Sequence, residues 1–188
     1  MDSIALAHWK RPDVGITIDY GQKAAATELA VAAQVAGLLE MRHETIRVDC
    51  ASLGSGDMAG SEPLSTAPVT EWWPFRNQML LTLAGMRAVG IGVTEMMTGS
   101  VTSDGSHADG RAEFYVAADA LISMQEGGIR VSAPAIRMTT VELIRASGVP
   151  RETLAWAHSC HTGVLACGDC RGCHKHYQVM EHLYGNGY

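Results

Sequence analysis

The sequence lacks a basic stretch, and its 188 residues carry a formal net charge of -6. Binders of long nucleic acid show a basic footprint, so that class is excluded. No apolar run approaches the roughly 20 residues that span a bilayer, which argues against a membrane partner. A secretory signal is also missing, so a cytoplasmic location is expected. No internal repeat is visible. What remains, at 47% hydrophobic and 18% charged residues, suits one globular unit with a sizeable core. Glycine is frequent, at 20 residues, and points to tight turns near a ligand. Ala51 to Val69 is rich in Gly, Ser and Pro and reads as a long mobile loop.

Cysteines are few and unevenly placed. Cys50 stands alone, whereas Cys160, Cys167, Cys170 and Cys173 crowd the C-terminal end. A Cys-x2-Cys-x2-Cys run with a fourth cysteine a short loop upstream is a zinc signature, because turns at Gly168 and Gly172 let the sulfurs converge on one tetrahedral ion. Four thiolates also serve an iron–sulfur cluster. Disulfides are a third option, disfavoured by the missing signal. Zinc is the preferred reading on ligand softness and spacing. Four thiolates close the coordination shell, so such a site stabilises the fold and does not activate water. His158, His161, His174 and His176 surround it and read as solvated or supporting side chains.

Hydrophobic periodicity gives an alternation of helices and strands. Helices are expected over Asp2–Lys10 (capped by Asp2-Ser3 and stopped by Pro12), Ala24–Leu39, Asn77–Val89, Glu113–Gln125 and Thr140–Ser147, the last capped by Thr139 or Thr140. Strands are expected over Val14–Asp19, Met41–Val48, Val93–Met97 and Ile129–Ser132. That alternation predicts a doubly wound parallel sheet covered on both faces, with ligands at the carboxyl ends of the strands. Polar clusters fall at those ends: Asp19-Tyr20-Gly21-Gln22, Asp49, and Gly99-Ser100 with Asp104 and Asp109 beyond. Singly, each is an ordinary turn residue; together they mark a site. Residues 1–157 are expected to form the α/β body, with 158–188 packed on it as a metal-binding segment and helix.

Read in order, these pieces resemble the 7-cyano-7-deazaguanine synthases, the QueC family of PP-loop ATP pyrophosphatase-type enzymes. The resemblance rests on Met1-Asp2-Ser3, Ile18-Asp19-Tyr20-Gly21-Gln22, Pro74-Phe75-Arg76-Asn77, Thr98-Gly99-Ser100, Asp104-Gly105, Asp109-Gly110-Arg111 with Phe114, and the cysteine run introduced by Ser159-Cys160. It implies ATP- and Mg2+-dependent adenylation of 7-carboxy-7-deazaguanine, displacement of AMP by ammonia, and a second activation that dehydrates the amide to a nitrile. It also implies roles. Asp2 and Ser3 match the end of the phosphate loop, and Asp2 is a candidate magnesium ligand. Asp19, Tyr20, Gly21, Gln22 and Gly99 fall at the nucleotide site. Arg76 and Arg111 are candidates to bind the substrate carboxylate or a phosphate. Asp104 and Asp109 could accept from the donor edge of the base, Phe75 could stack on it, and Asn77 adjoins it. Family members are often homodimers.

Several positions depart from the family pattern. The chain begins inside the phosphate loop, so two readings compete for that loop's Ser-Gly-Gly and the preceding strand: they lie upstream of Met1, the preferred reading, or the chain is a degenerate relative with a rearranged sheet. Phe75 stands where the family has glycine, Thr140 where a phosphate-pairing lysine is expected, and Gly110 where cysteine is usual. These changes suggest a divergent paralogue. One alternative is a QueC-like enzyme of anti-phage operons that joins the activated deazaguanine to a protein amine. A second is a non-catalytic, zinc-held binding protein.

Overall fold

The computed structural model describes residues 1–185. The last three residues of the expected segment 158–188 lie outside the described residues. Helix α1 (Asp2–Lys10) opens the chain and leads into strand β1 (Val14–Asp19), helix α2 (Ala25–Leu38) and strand β2 (Arg42–Arg47). A short helix, α3 (Gly56–Ala59), lies within the long loop, followed by α4 (Arg76–Gly90), β3 (Glu95–Met97), α5 (Ala112–Ser123), β4 (Arg130–Ser132), α6 (Thr140–Ser147), α7 (Arg151–Leu154) and α8 (Arg171–Tyr184). Two turns of 3-10 helix, Thr102–Ser106 and Ala108–Gly110, connect β3 to α5.

Local chemistry sets most of these boundaries. Arg11 takes a left-handed conformation and its N–H closes α1 onto the Ala7 carbonyl, so the helix stops just before Pro12. Thr139 and Glu142 cap α6 reciprocally: the Glu142 N–H donates to Thr139 Oγ1 at 3.2 Å, and Glu142 Oε2 accepts from the Thr139 N–H at 2.7 Å. One cap expectation is corrected. Met1, not Asp2 or Ser3, precedes the first turn of α1, and Asp2 is its first helical residue. The Asp2 carboxylate is therefore turned away from capping and toward a lysine described below.

Among the described residues the strand pairing is parallel, as the alternation predicts. It is not, however, one doubly wound sheet. β1 pairs with β2 in the register Val14↔Arg42 through Asp19↔Arg47, and β3 pairs with β4 from Glu95↔Arg130 to Met97↔Ser132. Among the described residues no strand joins the two pairs. Each strand thus has a single partner, and β1 is mostly only half-buried, whereas a strand inside a two-sided parallel sheet would be covered throughout. Helix α4 bridges the gap. Its Leu80 and Leu83 pack with Ile18, Tyr20 and Trp73 over the first pair, and its Leu81 and Ala88 pack with Met96 and Val131 over the second.

A third cluster is helical. Ile4 and Ala5 of α1 meet Leu143 and Ile144 of α6, Leu154 of α7, and Val179 and Met180 of α8. Leu143, Leu154 and Met180 are fully buried there. This packing, with the His8 ring on the Ser147 carbonyl at 2.9 Å, brings the first and last helices of the chain together. No described helix is long and apolar enough to cross a membrane.

On the opposite side, Asp119 of α5 accepts from the Val131 N–H at 2.8 Å and from the Arg130 guanidinium at 2.6 Å, tying α5 to β4. The Arg130 hydrogen bond and the Val131 amide hold its pKa down to about 2. A carboxylate depressed below its unfolded value of about 3.9 stabilises the fold above that value and loses the effect as pH falls through the folded one. Asp119→Asn is expected to lower the thermal midpoint by about a few degrees at pH 7, the pair being exposed. The difference from wild type should close between pH 4 and 2. A difference independent of pH over that window would contradict the assignment.

Candidate functional site

The loop from Thr102 to Gly110 is the place where the candidate residues gather. It is held from four directions. Asp104 Oδ2 accepts from its own loop's Val101 N–H at 3.1 Å. Asp109 Oδ2 accepts from the Asn77 N–H at 3.0 Å, and the Asn77 side chain donates to the Asp109 carbonyl at 2.9 Å. A carboxylate thus sits on the N-terminus of α4, where backbone N–H groups and the helix dipole favour negative charge. Arg111 donates from Nε to the Gly105 carbonyl at 3.0 Å in an exposed setting. His107 lies beside buried Glu71, at 3.9 Å.

The end of β3 meets the start of α1. A Cβ on Gly99 would lie 2.9 Å from the Ser3 amide nitrogen, so only glycine lets the two backbones approach this closely. Asp2 follows from that contact. Its Oδ2 accepts from Lys175 Nζ at 3.0 Å, and Lys175 also lies 3.7 Å from Asp104 Oδ1. The other Asp2 oxygen, Oδ1, is buried without a hydrogen-bond partner. The Met1 α-amino group adjoins it, with its pKa lowered by burial.

The Asp19–Gln22 block folds on itself. Asp19 Oδ1 accepts from the Gly21 N–H at 3.1 Å, and Gln22 Oε1 accepts from the Tyr20 N–H at 2.9 Å. Gln22 Nε2 donates to the Ile18 carbonyl and to Glu28. Buried Tyr20 stacks edge-on against Trp73, with ring centroids 4.9 Å apart. Burial raises its phenol pKa, an effect that Arg76 opposes. Arg76 itself has Met58 Sδ as a close partner, at 3.0 Å, a weak acceptor that leaves most of the guanidinium's hydrogen-bonding capacity for another group. Burial and the nearby Arg76 charge both lower the pKa of His107. Phe75 precedes α4 in a left-handed conformation and is 74% exposed.

The structure therefore joins Asp2, Ser3, Gly99 and Asp104 at one point, and Asn77 with Asp109 at another. Arg76 lies by Tyr20 and within electrostatic reach of His107. Asp19, Gly21 and Gln22 are engaged in their own turn, and Arg111 in its own loop.

The four clustered cysteines converge. Their Sγ atoms all lie within 4.8 Å of one another, and the Cys167 and Cys173 sulfurs are 3.9 Å apart. A disulfide needs about 2.05 Å; thiolates about 2.3 Å from one tetrahedral ion are roughly 3.8 Å apart. The set fits a single zinc-like ion, whereas a cluster of several irons, with its thiolates on different metals, would spread the sulfurs further. Backbone amides already point at the sulfurs: Cys167 Sγ accepts from the Cys170 N–H at 3.3 Å and Cys170 Sγ from the Cys173 N–H at 3.4 Å. The Thr162 hydroxyl and two such amides pull the Cys167 thiol down to about 6. Burial pushes Cys173 up to about 12, an opposition that a bound dication would overcome by coordinating the thiolate directly. None of the four neighbouring histidines belongs to this group among the described residues. His158 Nε2 lies 3.0 Å from the Gly163 carbonyl, and His176 Nδ1 lies 3.3 Å from Ser159 Oγ.

Sequence reasoning missed Lys175, Arg171, Glu71 and His107. Arg171 and Lys175 stand four apart after a cysteine cap, a spacing that puts both on one helix face. That was a usable signal; the buried carboxylate of Glu71 left none.

Comparison with known proteins places residues 1–183 within the family described as queuosine biosynthesis protein QueC. The relatives include 7-cyano-7-deazaguanine synthases. That of Acidobacterium capsulatum is 33% identical over 186 residues, covering 88% of this chain and 80% of the relative. That of Archaeoglobus fulgidus is 33% identical over 175 residues, covering 82% and 71%. A third, from Methanosarcina barkeri, is 24% identical over 191 residues, covering 90% and 83%.

A Cβ on Gly172 would lie 1.9 Å from the Ser159 carbonyl oxygen, a backbone atom that cannot step aside. Gly172→Ala is therefore expected to push Cys173 away from Cys160 and to drop metal content from about one ion per chain to well below half. Elemental analysis of the purified variant checks this; full occupancy would contradict the geometry.

Proposed function

Because this chain belongs to the QueC family of queuosine biosynthesis proteins, we propose that it is an ATP-dependent synthase that converts 7-carboxy-7-deazaguanine to 7-cyano-7-deazaguanine. The observation that carries this reading is the meeting of Ser3, Gly99, Asp2 and Asp104 at the N-terminus of α1. The first-turn amides of a helix would present the favourable end of its dipole to a polyphosphate there.

A carboxylate is a poor electrophile, since its leaving group would be oxide. In the proposed first step a substrate carboxylate oxygen attacks the α-phosphorus of ATP, the bond to the β-phosphate oxygen breaks, and pyrophosphate departs. Ammonia then attacks the acyl carbon and expels AMP, leaving the amide. In a second round the amide oxygen is adenylated; loss of AMP and a proton gives the nitrile. Arg76 is the residue best placed to hold the substrate carboxylate, since a thioether is a weak partner for its guanidinium. Phe75, being exposed at the head of α4, offers a face to a base. Asp104 and Asp109 flank the same loop and can accept from the donor edge of the deazaguanine, Asp109 being oriented by Asn77. Arg111 steadies the loop through Gly105.

A magnesium ion would supply charge neutralisation at the phosphates. The buried Asp2 Oδ1, without a hydrogen-bond partner, is an oxygen donor that suits a hard cation. The cysteine cluster is read as a zinc site that holds the fold. A protein amine in place of ammonia would complete the same displacement.

The test is release of AMP by the metal-loaded protein. AMP should appear only when 7-carboxy-7-deazaguanine is present, and mass spectrometry should find the amide or nitrile when ammonia is added. Arg76→Met should lower kcat/KM for the acid by about 100-fold, the usual effect of deleting a charged contact to a reacting group. No substrate-dependent AMP from fully metallated protein would overturn the reading.

A further inference from the structure

The cysteine cluster does more than close the chain. Cys170 caps α8 through its sulfur, and Cys173 lies in the first turn, so the helix starts on the metal-binding group itself. Arg171, Lys175 and Val179 then follow at intervals of four and share one face. Val179 is buried in the helical core against α1 and α6, which fixes the rotation of that face. The two cations are thereby directed at the loops of the candidate site.

They do different things there. Arg171 Nη1 donates to Glu71 at 2.7 Å and Nη2 to Ser106 Oγ at 3.3 Å. The Glu71 side chain is only 7% exposed, and removing the partner of a buried carboxylate leaves an uncompensated charge, so Arg171 is committed. Lys175 is not. Its side chain is 34% exposed, its carboxylate partners Asp2 and Asp104 are 20% and 37% exposed, and its second contact is stretched to 3.7 Å. An ammonium has three rotatable donors on a flexible stem and can exchange such partners at little cost. It lies beside the α1 N-terminus, where Ser3 and Gly99 bring their backbones together.

We propose that Lys175 is a phosphate-binding residue of the nucleotide site, delivered there by the helix that the cysteine cluster begins. The inference rests on the reading that the protein uses ATP. Without this ammonium, Asp2 and Asp104 would repel an incoming polyphosphate. With it, Nζ can turn from Asp104 to a phosphate oxygen while keeping Asp2. The knot and the chemistry, far apart in sequence, then form one site.

The probe is Mg–ATP, titrated calorimetrically into the full chain with its metal counted. Lys175→Met should weaken binding by about 10- to 100-fold, the worth of one charge-assisted hydrogen bond. In turnover it should raise KM for ATP more than it lowers kcat. Metal content should stay at the wild-type value, the thermal midpoint should fall by no more than about a few degrees, and Lys175→Arg should recover most of the affinity. Unchanged Mg–ATP affinity in Lys175→Met overturns the proposal, as does affinity lost only together with the metal, or a wild-type protein that does not bind Mg–ATP. Lys175-dependent Mg–ATP binding without AMP release on 7-carboxy-7-deazaguanine would leave the proposal standing and remove the substrate assignment instead.

Discussion

Four sulfurs drawn to one point are the constraint on which the C-terminal segment of this protein depends. Cys160, Cys167, Cys170 and Cys173 come from a loop and a helix start that have little else to hold them: the segment before α8 is largely without regular structure, and Val164 and Leu165 are exposed. Thiolates crowded within 4.8 Å repel one another unless protonated or shared by a cation. A dication at the centre would turn that repulsion into attraction, and its binding free energy would become folding free energy for the segment. Once α8 is started, Val179 and Met180 bury against Ile4 and Ala5, and the last helix is locked to the first.

Two cations of the candidate site are carried by that lock. Arg171 pins the Glu71 loop and the Ser106 turn, while Lys175 reaches Asp2 and Asp104. Asp109 fixes the start of α4 at Asn77, and Arg76 just before it lies beside Tyr20. The same helix α4 supplies the apolar surface that bridges the two strand pairs. Fold and site therefore share elements. A change in the knot would reach the site through Arg171, whose partner Glu71 is buried, and through the more exposed Lys175.

Much of this was legible in the sequence, and the division follows physical range. β1 was readable with its ends, because Val-Gly-Ile-Thr-Ile-Asp carries its own strand preference and stop. The Asp19–Gln22 turn and the Thr139 cap were readable because both are bonded within a few residues. The convergence of the four clustered cysteines was readable from spacing. The contacts of Lys175 with Asp2 and of Arg171 with Glu71 span 173 and 100 positions, and nothing local announces them. Asp2 was expected to cap α1 because it stands at the helix start; a lysine from the far end of the chain claims it instead. The single doubly wound sheet was expected from alternation alone, which gives strand direction but not the pairing of strands across the molecule.

The central claim is that the metal-holding cysteines set the geometry of the nucleotide-binding end. Affinity for Mg–ATP, compared in protein with its metal, stripped of it and reloaded, tests this most directly. The account predicts about one ion per chain, loss of Mg–ATP binding when it is removed, and recovery when it returns. Metal-free protein that binds Mg–ATP as tightly as the loaded form would contradict it.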